Sequence, residues 1–113
     1  MPADQDVAGT ATRGPGGRAL PPQALAALRE AFAVELAERL PRLQAVRPEV
    51  VHGEQLVAAV RDAHTLGSSA VVVGEPRAAR AARVVEAALL AGELADVPAH
   101  VRALAEELAG WRA

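Results

Sequence analysis

From Leu20 onward the apolar residues recur at spacings of three and four, the repeat of a helix with one buried face. Leu25, Leu28, Phe32, Leu36, Leu40 and Leu43 form the first such stripe. Pro21 and Pro22 open it, because proline is tolerated in a first turn whose amides lack partners anyway. Pro41 should kink or shorten this helix near its end, and Arg47 to Gly53 reads as a connection. A second helix is predicted from about Glu54 to Val73, with Leu56, Ala59, Val60, Ala63, Leu66, Ala70 and Val73 inward. Val71-Val72-Val73 alone would suit a strand, but after a long helical pattern and before Gly74 it reads as a buried helix end.

Gly74 then suits a C-terminal cap and Pro76 the first turn of a third helix, Pro76 to Ala91. That helix carries Ala78, Ala81, Ala82, Val85 and Leu89 on one face, and Gly92 ends it. Asp96 is placed to cap a fourth helix with Pro98 in its first turn and Val101, Leu104, Leu108 and Trp111 inward. Four amphipathic helices with short joints predict an all-α, antiparallel four-helix bundle over residues 21–113. Residues 1–20 are rich in Gly, Pro, Ala and polar side chains, without apolar periodicity. They are expected to form a disordered tail.

Composition narrows the chemistry. Cys is absent, which removes disulfides and thiolate metal sites. All 12 basic residues are Arg, so lysine Schiff-base chemistry is excluded. A formal charge of −2 argues against nucleic-acid binding. No apolar run reaches membrane-spanning length and the N-terminus lacks a signal-peptide layout, so a cytoplasmic protein with no membrane partner is expected.

Of the 3 histidines, His52 lies in a connection and His100 in the first turn or so of the fourth helix, among polar neighbours. His64 sits in mid-helix, one position past Ala63, at the edge of the buried stripe. One turn on, Gly67 and Ser68 offer little or no side chain, although a helix-interior Gly costs about 1 kcal/mol relative to Ala. Either they clear space over the imidazole for an approaching partner, or they allow close helix packing. No histidine–carboxylate spacing matches a metal motif, and no metal site is expected.

The stretch Ala63 to Gly74, AHTLGSSAVVVG, resembles the signature of histidine phosphotransfer (HPt) domains, roughly A-H-x-L-K-G-S/A running through small and apolar residues to a Gly. The resemblance covers Leu25 to Trp111 and implies an HPt-like bundle with His64 as the phosphoacceptor. It places Glu86, 22 residues on and closing a small-residue ladder, where chemotaxis-kinase members carry a glutamate that accepts a hydrogen bond from that imidazole. The other reading of Glu86 is a surface carboxylate paired with Arg80 or Arg83. Two positions depart from the pattern: the family Lys is Gly67 and the following Gly is Ser68.

With that Lys missing, Arg61, one turn before His64, is the first candidate to hold phosphate, and Arg83, one turn before Glu86, the second. Val57, Gly67, Ser68, Val71 and Val72 are the expected docking surface. The resemblance further implies a phosphocarrier, not an ATP-binding kinase, working as a monomer with a response-regulator receiver domain, a histidine kinase, or both. It implies no cofactor of its own, the partners supplying Mg²⁺ and ATP. A non-catalytic adaptor of the same fold, and an unrelated interaction bundle, are the competing functions.

Overall fold

The computed structural model describes residues 20–113; the tail expected over residues 1–20 falls almost wholly outside that span. Helix α1 runs Pro22–Gln44, α2 Gly53–Val72, α3 Pro76–Ala91 and α4 Val97–Leu108, and no strand occurs among the described residues. Pro22 occupies the first turn of α1 after an extended Pro21. Pro41 has no amide hydrogen to give, yet α1 continues through it to Gln44 before the chain turns. Val71 and Val72 complete α2 and Val73 caps it, so the valine run is helical.

The joint between α2 and α3 is three residues long, Val73 to Glu75, and closes on itself. The Glu75 amide donates to the Ala70 carbonyl at 2.8 Å and the Gly74 amide to Val71 at 3.1 Å, the paired bonds of a Schellman turn. Gly74 holds φ at 79°, a left-handed conformation open to glycine at little strain. The same device ends α3 at Gly92, where the Glu93 amide reaches the Ala88 carbonyl.

A short 3-10 turn, Leu94–Asp96, precedes α4. Asp96 stands before α4 as expected, but its side chain makes no capping hydrogen bond there because the residue is already in helical backbone geometry.

The core follows the apolar stripes. Phe32 and Leu43 of α1, Ala59, Ala63, Leu66 and Ala70 of α2, and Ala78, Ala82, Val85 and Leu89 of α3 are buried together. Val97, Val101, Leu104 and Leu108 of α4 complete the cluster. Trp111, just beyond α4, meets Phe32 edge-on at 4.9 Å and 88°, and Arg29 of α1 lies over its indole at 4.9 Å. With large aliphatics scarce between α2 and α3, the alanines let these two helices approach closely. Theirs is the most extensive contact in the fold.

No helix among the described residues is long and apolar enough to cross a membrane.

Candidate functional site

Ala63, Gly67 and Ala70 line the inward face of α2, and Ala78, Ala79 and Ala82 line that of α3. Such short side chains bring the two backbones together and let residues flanking the seam meet above it. His64 lies on its solvent side. The His64 Nδ1 stands 3.1 Å from a carboxylate oxygen of Glu86, within hydrogen-bond range. The imidazole is 66% exposed and the Glu86 side chain 21%, so the carboxylate is partly desolvated while the ring stays open.

A carboxylate accepts only, which makes Nδ1 the protonated nitrogen of a neutral ring and leaves Nε2 with its lone pair. Nε2 has no partner among the described residues. Glu86 is thus on the imidazole, not on Arg80 or Arg83.

The remaining candidates separate. Val57, Ser68, Val71 and Val72 are exposed as expected of a docking face. Gly67 is not: it is buried, and a Cβ built there would lie 3.4 Å from Ala82 Cβ, 3.7 Å from the Ala79 carbonyl oxygen and 3.7 Å from Arg83 Cγ. The expectation of Gly67 on the docking surface is therefore corrected. The residue faces α3 across the seam, at distances where a Cβ would make ordinary contacts.

Arg61 is exposed, in a shallow hollow with Gly53, Glu54, Val57 and Ala58 toward the start of α2. The stem of Arg83 crosses from α3 onto Gly67. His52 is exposed and His100 half-buried, and neither meets a carboxylate among the described residues. No cluster of three His or carboxylate side chains suited to a metal occurs among the described residues.

Sequence reasoning missed Asp62, which is buried two positions before His64. It accepts from Arg39 at 2.8 Å and from both Nε and Nη2 of Arg42 at 3.0 Å, a forked clamp that ties α1 to α2. Burial would push the Asp62 carboxyl up. The hydrogen bonds and charges of Arg42 and Arg39 outweigh it, holding the group below its ordinary value. The Arg42 guanidinium is raised in turn, chiefly by its hydrogen bond to Asp62. Two turns past Asp62 along α2, the Ser69 hydroxyl donates to Glu35 of α1 at 2.6 Å. These bonds hold α2 from behind, so His64 projects from a braced helix.

Comparison with curated proteins and with solved structures finds no match. The family described as Hpt domain matches residues 27–113, from the first turns of α1 to the C-terminus. That span contains the exposed imidazole, its carboxylate partner, most of α1 and all of α2 to α4, and the chain belongs to the Hpt domain family, whose members serve histidine phosphotransfer in phosphorelay signalling.

Proposed function

We propose that this protein is a phosphocarrier of a two-component phosphorelay, taking a phosphoryl group onto His64 Nε2 and passing it on. The observation that carries the reading is the 3.1 Å pairing of His64 Nδ1 with Glu86 on an otherwise open imidazole. Glu86 selects the tautomer whose lone pair faces outward. It also stabilises the positive charge that the ring gains on attack.

In the forward step the Nε2 lone pair attacks phosphorus of a receiver-domain aspartyl phosphate. The P–O bond to the carboxylate breaks, its electron pair leaving with the aspartate, and an N–P bond forms. The Nδ1 proton stays in the hydrogen bond to Glu86. The reverse sequence returns the group, so one site both accepts and donates. Such transfer rests on positioning and charge neutralisation more than on bond-making groups of the carrier.

By the family's division of labour, a histidine kinase supplies ATP and a receiver supplies the aspartate and Mg²⁺, while this chain needs no cofactor of its own. It works as a cytoplasmic monomer, its four helices in antiparallel order. Val57, Ser68, Val71 and Val72 form the face on which the receiver or kinase docks. An apolar centre with a charged rim is the composition of a weak, transient interface.

A non-catalytic adaptor is the second reading, favoured by one observation: Gly67 stands where the family carries its phosphate-holding Lys. Incubation with a phosphorylated receiver separates the two. Acid-labile, base-stable phosphate on the parent and none on His64→Gln establishes the carrier. Binding without labelling establishes the adaptor, and label on His52 or His100 moves the site.

A further inference from the structure

We infer that Arg83 of α3 supplies the cation for phosphorylated His64, reaching over the α2–α3 seam in place of the lysine missing at position 67. The inference rests on the phosphocarrier reading and adds the residue that would hold the transferred group. Gly67 lies one turn past His64 and faces α3, and the Cγ of Arg83 lies 3.7 Å from where a Cβ at 67 would stand. The stem of Arg83 therefore passes beside the point from which a lysine side chain at 67 would set out. From Cγ to a terminal nitrogen of Arg83, and from Cβ to the nitrogen of such a lysine, the bonds are equal in number. The two side chains therefore have a similar reach from the seam.

Two observations favour Arg83 over Arg61. Arg83 shares a helix face with Glu86 one turn away, and Glu86 is bonded to His64. Arg83, like Arg61, makes no ion pair among the described residues, whereas Arg77 on the same helix is held by Glu107 at 3.2 Å. Arg61 borders a different hollow, with Gly53 and Glu54 at the start of α2. A guanidinium suits the task, since it presents several N–H donors in a plane and binds phosphate oxygens in a fork. A lysine added at 67 beside Arg83 would put two stems on one path and two like charges together.

The test loads the full chain with phosphoramidate, which needs no partner protein. The Nε2 lone pair attacks phosphorus, the P–N bond of the reagent breaks, and ammonia leaves with its electron pair. Phosphorus NMR then follows the ionisation of the phosphoryl group on His64. A nearby guanidinium favours its dianion, so Arg83→Ala should move the titration midpoint up by about 0.5–1 unit, a three- to tenfold change in the proton-release constant.

Arg83→Lys should retain part of the effect, Gly67→Lys with Arg83→Ala should restore it, and Arg61→Ala should leave it at the parent value. Circular dichroism on the same samples confirms the fold. A labelled parent whose midpoint is unmoved by Arg83→Ala, or moved by Arg61→Ala instead, overturns the inference and leaves the phosphocarrier reading intact. A parent that takes no label on His64 overturns both.

Discussion

Replacing Glu86 with alanine tests the link between geometry and chemistry most directly. The bond at stake is charge-assisted and 3.1 Å long, a class worth about 1.5–3 kcal/mol when shielded. Here the imidazole is 66% exposed and water competes for Nδ1, so the lower end applies. A loss of about 1.4 kcal/mol from the transition state is roughly tenfold in rate. Single-turnover transfer from a phosphorylated receiver, sampled by rapid quench, should slow by about that factor at saturating receiver. Receiver affinity measured by calorimetry should hold, because Glu86 lies beside the ring at the seam. Glu86→Gln, which still accepts through its carbonyl oxygen but carries no charge, should fall between the two. Unchanged transfer by Glu86→Ala would refute the orienting role. A fall wholly explained by weaker receiver binding would place Glu86 in the interface instead.

Three further outcomes follow from the packing. Gly67→Ala should stabilise the fold by up to about 1 kcal/mol and raise the melting temperature by several degrees, since the gain in helix propensity meets only ordinary contacts at 3.4 Å and beyond. Asp62→Asn should destabilise by about 1–3 kcal/mol at neutral pH, because two guanidinium groups lose their charge partner. With the Asp62 carboxyl held below its unfolded value near 3.9, its stabilisation is full above about pH 4 and fades as pH falls through the lower folded value. The gap in melting temperature between parent and variant should therefore close in acid. Trp111→Ala should cost about 2–3 kcal/mol by chemical denaturation, while Trp111→Phe, which keeps a ring against Phe32 and removes a buried N–H without a partner, should stay within about 1 kcal/mol.

The helices were legible because each carries its own apolar repeat, and the turns because Gly74, Pro76 and Gly92 act within a few residues of themselves. His64 and Glu86 were reached through the family resemblance, and the structure then placed them in contact. What escaped depends on neighbours distant in sequence. Asp62 looks like any solvent-facing carboxylate until α1 brings Arg39 and Arg42, 23 and 20 residues earlier, against it. Gly67 lies one turn from His64, which suggests the open face, but it also falls four residues after Ala63 and three before Ala70, on the buried stripe that the structure confirms for it. The approach of Arg83 to Gly67 likewise exists only between helices and is invisible to spacing along one of them. Asp96 carried the residue type of a cap, but the 3-10 turn before α4 sets its backbone outside capping geometry.

The Schellman turn at Gly74 also bears on how the protein folds. It closes the shortest connection between any two helices here, so joining α2 to α3 carries a small loop entropy and draws mainly on contacts near in sequence. Proteins rich in such low-contact-order pairings fold quickly, and this hairpin is the part of the chain best placed to form early. His64 and Glu86 both belong to it. Under mild denaturant or heat, amide exchange should reach the first turns of α1 well before the seam, and the His64–Glu86 pairing should outlast fraying at either end of the bundle.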